Sequence, residues 1–323
     1  PAVMTDTSPQ KPTQPVLIVA GVTASGKSAL ALDVAEAFDG VIINADSMQV
    51  YREIPVISAA PTSADMARVP HRLYGVLPIT DPCSAGRWRD LAAGEIDAAH
   101  AAGKLPVVAG GTGLYIKALM SGMNDLPASD PVIREELTGQ LVMRGEESFR
   151  AALAAIDPLA EKAIRQGDRQ RLLRAMEVYR ISGRALSDWR RTPANPPPSH
   201  WRFNVITVLP PRDEVYAACE ARFDQMLAAG ALEEARAVYA FDRNLPGMKA
   251  VGLPELFDHL DEDVDIQTAA ILARQATRRY AKRQFTWLRH QINSNFILET
   301  KYSERNRDEI INFIRQTVLT PLD

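Results

Sequence analysis

The chain has two cysteines in 323 residues, Cys83 and Cys219. They are too few for a disulfide framework and lack the spacing of a zinc site, so a reducing cytoplasm is the expected setting. Long apolar stretches are missing as well. No run reaches the roughly 18 residues of a membrane span, and the polar, proline-bearing segment 1–14 has no signal-like apolar core, so it reads as a flexible tail. Nor does one sign of charge dominate: 37 basic residues against 40 acidic leave a net charge of -3, and any basic surface must come from local segregation. No internal repeat or low-complexity tract is present. What remains, at 46% hydrophobic, is a chain able to bury a large core, in two compact units or one domain with an insertion.

Within that core, Pro15–Ala20 is a short β-branched run that ends at glycine, as a strand covered on both faces would. A helix over about 26–38 follows. The alternation repeats with strands at Val41–Ala45 and Leu105–Ala109, the latter after an alanine-rich helix that Ser84 can cap. This pattern predicts an α/β fold, a doubly wound parallel sheet with its ligand edge at the carboxyl ends of the strands. The order predicts a core of 15–126 and 201–323, interrupted by a strand-free helical insertion over 127–200 with breaks at Asp157–Pro158 and Gly183. The strand at Phe203–Leu209 resumes the core, and long helices fill the rest.

Directly after the first strand lies Gly21-Val-Thr23-Ala24-Ser25-Gly26-Lys27-Ser28, a P-loop in the strand–loop–helix context that gives the pattern its meaning. Backbone N–H groups and a helix N-terminus face phosphate oxygens, Lys27 adds a positive charge, and the Ser28 hydroxyl can ligate Mg²⁺. The loop alone does not say which di- or triphosphate it holds. At the same edge, the second strand ends in Asn44-Ala-Asp46-Ser47-Met48-Gln49, where Asp46 suits a general base and Ser47 and Gln49 offer groups that read an adenine edge. Asp-Ser after a strand is equally a helix cap. The third strand ends in Gly110-Gly-Thr112-Gly113, a turn that lets backbone and hydroxyl approach a ligand.

Charge segregates strongly near the C-terminus. From Ile266 to Leu298 there are six Lys or Arg residues and no acidic one. Arg274, Arg278 and Lys282 share a helix face beside Arg279 and Arg283, which suits a phosphate backbone, although a solvated helix with Phe285 and Trp287 turned inward fits the same letters. Arg169–Arg174 forms a second basic stretch in the insertion, and Arg222 on a predicted helix reads, by periodicity alone, as a surface cation.

Taken in order, the P-loop, Asp46–Tyr51, Pro70-His-Arg72, Gly110–Tyr115, Gln170–Val178 and Lys282–Arg289 resemble the tRNA dimethylallyltransferase family of bacterial type, collinearly from about Val16 to Arg289. The resemblance implies transfer of a dimethylallyl group from dimethylallyl diphosphate to the N6 amine of the adenosine 3′ of the anticodon, with Mg²⁺, by a cytoplasmic monomer. It implies that Gly21 and Thr23–Ser28 hold the diphosphate, Asp46 is the base, and Thr112 and Arg222 serve the leaving group. It further implies tRNA contacts at Asp46, Ser47, Met48, Gln49, Thr112, Arg134, Gln170, Arg171, Arg174, Lys249, Gly252, Arg278, Lys282, Arg283, Gln284, Trp287 and Arg289. Val22, Ala60 and Ala218 depart from the family pattern at the donor side. The runner-up is a P-loop small-molecule kinase, opposed by a third strand that ends in Gly-Gly-Thr instead of an acidic metal holder. A non-catalytic, nucleotide-dependent RNA-binding switch explains the basic surfaces but leaves Asp46 idle.

Overall fold

The architecture is taken from a computed structural model that describes residues 13–192 and 195–319. The expected tail lies outside the described residues except at its end, where Gln14 already pairs in the first strand. Along the chain come β1 (Gln14–Gly21), α1 (Lys27–Ala37), β2 (Gly40–Asn44), α2 (Pro55–Ser58), α3 (Ser63–Arg68), β3 (His71–Arg72), α4 (Ala85–Ala101), β4 (Leu105–Gly110) and α5 (Gly113–Ser121). The helices α6 (Pro131–Ile156), α7 (Pro158–Ala163), α8 (Arg169–Ser182) and α9 (Leu186–Arg191) follow. The chain then resumes with β5 (Trp201–Val208), α10 (Arg212–Ala228), α11 (Ala231–Val238), α12 (Leu253–Leu260), α13 (Ile266–Gln291), β6 (Phe296–Leu298) and α14 (Arg307–Thr317).

The six strands form one parallel sheet in the order β3-β2-β4-β1-β5-β6. Its central strands are buried on both faces, which explains why β1 and β4 read as continuous apolar runs without alternation. Leu17, Val19, Leu30, Val34, Ile42, Val107, Ile206 and Ile310 belong to one apolar cluster that joins sheet and helices. Ser84 caps α4 as expected, accepting from the Arg87 amide over 3.1 Å. The edge strands β3 and β6 escape a pattern-based reading because they are two and three residues long.

The register aligns the carboxyl ends that matter: Ala20 opposite Gly110, Asn44 opposite Ala109, and Gly21 opposite Val208. The segments following β1, β2 and β4 therefore leave the sheet along one edge.

Residues 121–196 form a compact unit of their own. It begins earlier than the composition change at 127 suggests, because Gly122 lies against the Asn195 backbone, where a Cβ would meet the Asn195 oxygen at 1.8 Å, and Met123 bridges Asn195. Its helices pack Leu137, Leu141, Phe149, Leu153, Leu172, Leu173 and Met176 into a core. Asp157 caps α7 by accepting from the Ala160 amide, and Gly183 ends α8 in the left-handed conformation, so both breaks have a local cause.

Candidate active site

The loop after β1 closes tightly. Ala24 and Gly26 adopt positive φ, and the Gly26 geometry delivers Lys27 and Ser28 as the first helical residues of α1. Gly21 has no room for a side chain, since a Cβ would stand 2.9 Å from Ser25 Oγ. The Ser25 hydroxyl is buried beneath the loop, with no hydrogen-bond partner among the described residues. Ser28, by contrast, is exposed at the first turn of α1.

Buried Asn44 builds the next segment. Its Nδ2 donates to the carbonyls of Asp46 (2.9 Å) and Leu73 (3.0 Å), its Oδ1 accepts from the Asp46 amide (2.8 Å), and its own carbonyl accepts from Trp88 Nε1 (2.8 Å). The backbone at Asp46 is thereby fixed. One carboxylate oxygen, Oδ1, accepts from the Met48 amide at 2.9 Å, so the turn-forming role of this aspartate is real. That role occupies one oxygen; the residue also lines a cavity. The third segment joins in through Thr112, whose Oγ1 accepts from the Ser47 amide at 2.9 Å and donates to Ser47 Oγ at 3.3 Å. Gly110 is obligatory here, because a Cβ would meet the Ala45 carbonyl carbon at 2.3 Å.

Two long helices complete the site. Cys219, Arg222, Phe223 and Met226 follow the i, i+3, i+4, i+7 spacing of one face of α10. Arg222 Nη1 donates to Thr23 Oγ1 at 3.0 Å. From α13, Thr277, Tyr280 and Arg283 reach the same space. Together with Thr23, Asp46, Ser47, Met48, Ile57, Ser58, Lys249 and Val251 they enclose a cavity of about 170 Å³. Its lining combines the cations Arg222, Lys249 and Arg283, the hydroxyls of Thr23, Ser47 and Thr277 and the Asp46 carboxylate, and Ile57, Phe223, Met226 and Val251 give it apolar walls.

Burial is the main cause that brings the Lys27 ammonium down to about 8; the Asp46 charge opposes it and Arg222 adds to it. Burial also lowers Arg222, offset by Cys219 and Asp46. The phenols of Tyr280 and Tyr74 are pushed up by burial and then by the neighbouring Asp46 charge, so both stay protonated.

The structure therefore brings Asp46, Ser47, Met48, Thr112, Thr23, Lys27, Arg222, Lys249 and Arg283 to one edge of the sheet, and Arg222 is no surface cation. Other expected contacts are placed differently. Gln284 is buried and its amide is spent inside the protein, accepting from the Thr23 amide at 2.7 Å and donating to the Gly111 carbonyl at 3.1 Å. Gln49 donates to the carbonyls of Ser58 and Ala59, holding the end of α2 instead of presenting a free amide. Gly252 is buried beneath Phe223, where a Cβ would meet the ring at 2.7 Å. Trp287 packs on Gly113, and Phe285 is fully buried. Arg278 and Arg274 form ion pairs with Glu220 and Asp224 of α10, while Lys282, Arg283 and Arg289 are exposed.

In the helical unit, Arg134 and Arg174 both face Glu177, a fully buried carboxylate, at 3.5 and 2.9 Å. Much of their charge serves that carboxylate, which an unpaired burial would penalise. Gln170 and Arg171 are exposed at the start of α8.

Among the described residues no group of three or more His, Cys, Asp or Glu is arranged to hold a metal ion, and no helix is long and apolar enough to cross a membrane. An ion such as Mg²⁺, which binds through few protein groups plus phosphate oxygens and water, still fits an exposed Ser28 hydroxyl beside a phosphate loop.

Comparison with known proteins agrees with this geometry. The model of a family described as IPP transferase matches residues 49–291. A tRNA dimethylallyltransferase of Rhodospirillum centenum is 51% identical over 87% of this chain and 90% of its own length. One from Rhodospirillum rubrum is 46% identical over 95% and 96%. Among solved structures, the full-length tRNA isopentenylpyrophosphate transferase of Bacillus halodurans superposes with a TM-score of 0.66 at 30% identity, over 95% of this chain and 97% of that one.

Proposed function

The chain belongs to the IPP transferase family, and from that premise and the geometry of its cleft we propose that it transfers a dimethylallyl group from dimethylallyl diphosphate to the exocyclic N6 of the adenosine 3′ of the anticodon in tRNA. The observation that carries the reading is one small cavity lined together by the Asp46 carboxylate, by Thr23 with its bonded Arg222 and by apolar side chains, beside a phosphate loop. A prenyl chain needs apolar walls, its diphosphate needs cations, and an aromatic amine needs a base.

In the reaction, N6 attacks C1 of the prenyl group, the C1–O bond breaks, and the diphosphate leaves with the electron pair. Asp46 takes the N6 proton on the carboxylate oxygen not held by the Met48 amide. Lys27, Arg222 and the N–H groups after β1 neutralise charge growing on the leaving oxygen. Where Mg²⁺ is bound, Ser28 would help hold it, and it would supply further charge neutralisation to the diphosphate. The target base must leave its stack to enter so small a space, so the anticodon loop is unstacked on binding. Exposed Lys282, Arg283 and Arg289 on α13, with Gln170 and Arg171 on α8, would meet the RNA backbone. Every residue assigned to the chemistry belongs to one unit of one chain, which supports a monomer as the acting species.

The kinase reading rests on the phosphate loop and on Asp46 as a base for a hydroxyl; β4 ends at Gly110 and the turn after it offers Gly111 and Thr112 where a kinase needs an acidic metal holder. Incubation with dimethylallyl diphosphate, Mg²⁺ and unmodified tRNA, followed by mass spectrometry of anticodon-loop fragments, tests the proposal. The expected result is a dimethylallyl mass increment on that adenosine and release of diphosphate. ADP formation from ATP with no increment on RNA would overturn it.

A further inference from the structure

Gln284 sits in α13 with its side chain buried between two loops that leave the sheet edge separately. Its Oε1 accepts from the Thr23 amide at 2.7 Å, 261 residues away in sequence. Its Nε2 donates to the Gly111 carbonyl at 3.1 Å. Both contacts are close-fitted: a Cβ on Gly111 would lie 2.3 Å from that Nε2, so glycine is what allows the amide to reach the loop. One turn on, Trp287 closes on Gly113, where a Cβ would lie 2.2 Å from the indole.

We infer that Gln284 is a positioning residue for the transfer reaction: one side-chain amide holds the loop that grips the leaving diphosphate at a fixed distance from the loop that presents the acceptor groups. The inference rests on the reaction proposed above. Beside its interaction with the Tyr280 hydroxyl of the same helix, each of its two loop contacts stands next to a residue with a function. On one side, Thr23 turns its amide to Gln284, which leaves its hydroxyl to receive Arg222 Nη1 at 3.0 Å. On the other side, Gly111 precedes Thr112, whose Oγ1 accepts the Ser47 amide at 2.9 Å beside Asp46. A primary amide has an acceptor and a donor at a fixed spacing, so it can clasp an N–H and a C=O at once. No other uncharged side chain of this length does both. The distance from base to leaving group is thus set by α13, the helix that also carries the exposed cations Lys282 and Arg289 and brings Arg283 to the cavity. The residue touches neither substrate; it acts through the two loops.

The test uses the full chain with Gln284→Met, which keeps length but loses both hydrogen bonds, and Gln284→Asn, which keeps the amide but is one methylene too short to span both. Wild-type transfer is measured first; its absence counts against the proposed reaction and not against the clasp. With an active wild type, both variants should lower kcat at saturating substrates by roughly 10- to 100-fold, because a displacement near 1 Å between reacting groups costs about that much. The tRNA Kd should change by less than about twofold, since a buried residue that contacts no RNA has nothing to lose there. A weakened tRNA Kd with kcat restored at saturation would overturn the inference in favour of an RNA contact. A lowered Tm with unchanged kcat well below that Tm would overturn it in favour of a purely structural role. In the unsubstituted protein, amide hydrogen exchange reads the same bond independently of how the variants fold: the Thr23 amide should be protected, and exchange at the rate of an open loop would overturn the inference.

Discussion

Arg222 donates from Nη1 to Thr23 Oγ1 over 3.0 Å, and the two residues are 199 positions apart. The bond fixes a guanidinium from α10 against the loop that follows β1, where burial has already stripped it of water. A cation fixed in advance costs no reorganisation when charge develops on a leaving group. We expect Arg222→Ala to lower single-turnover transfer by roughly 10²–10³-fold, the range for losing one preorganised donor to developing charge. Thr23→Ala should cost less, since Arg222 keeps its charge and loses only one anchor. Rates of diphosphate release check both, and equal losses from the two variants would mean that the threonine itself carries the effect.

Asp46 has two separable duties. Its Oδ1 accepts from the Met48 amide, a contact that asparagine can retain, whereas only a carboxylate can take a proton from N6. Asp46→Asn is therefore expected to fold with an unchanged Tm and to bind tRNA as the parent does, while transfer falls roughly 10²–10⁴-fold. Near-parental rates at saturation would leave the residue with its turn-forming role alone.

The difference between what pattern could and could not reveal is clearest along α13. Charge segregation from Ile266 to Leu298 is a property of composition, so the exposed cations Lys282 and Arg283 were legible. The inward face was not: the resemblance names Gln284 only as an RNA contact, whereas its side chain and Tyr280 turn inward because the parallel sheet brings the ends of β1 and β4 beneath this helix, and no local pattern encodes that meeting. The same holds for Arg222, which periodicity alone places on a surface. Strands β1, β2, β4 and β5, the cap at Ser84 and the break at Asp157–Pro158 were legible because burial on both faces, capping chemistry and proline act locally. Ile57 and Ser58 were missed as cavity walls: α2 is held at its start by Glu234, which accepts from the Val56 and Ile57 amides at 2.7 and 2.9 Å, and at its end by Gln49. Glu234 lies in no motif, and Gln49, although inside Asp46–Tyr51, was read as facing a base and not as holding α2.

Lys27 offers a test by proton counting. Its pKa falls from the usual 10.5 to about 8, chiefly through burial, so the folded, ligand-free protein disfavours the ammonium. The sign follows: the penalty on the charged form is present in full below about pH 8 and is lifted progressively as pH rises from there to 10.5, so stability rises with pH across that window. A bound diphosphate favours the ammonium and raises the pKa again. Pyrophosphate binding at pH 8.5 should accordingly take up protons, seen as a calorimetric enthalpy that depends on the buffer's ionisation enthalpy. Because pyrophosphate itself titrates in this range, the reading is the difference between the parent and Lys27→Met: the parent should take up more protons at pH 8.5, and that difference should fade near pH 6.5. Equal buffer dependence in the parent and in Lys27→Met would assign the uptake to another group.

Some cations on α13 are already engaged by carboxylates of α10 and others are exposed to solvent. Arg278 pairs with Glu220, and the two side chains are 35% and 45% exposed, so the pair is solvated and worth no more than about 1 kcal/mol. Lys282, one turn on, is exposed. If this face meets the tRNA backbone, each phosphate neutralised releases about 0.7–0.9 of a counterion, and Lys282→Ala should flatten the log–log salt dependence of binding by about that amount. Arg278 must first leave Glu220, so a phosphate competes there with a carboxylate. Glu220→Gln removes the competitor and should tighten tRNA binding about two- to fivefold at low salt, an effect that shrinks as salt screens both partners. Binding measured across a salt series for Lys282→Ala, Arg278→Ala and Glu220→Gln decides the matter. Unchanged slopes in the two alanine variants, with no gain from Glu220→Gln, would make this face a solvated helix surface whose charges answer only to α10.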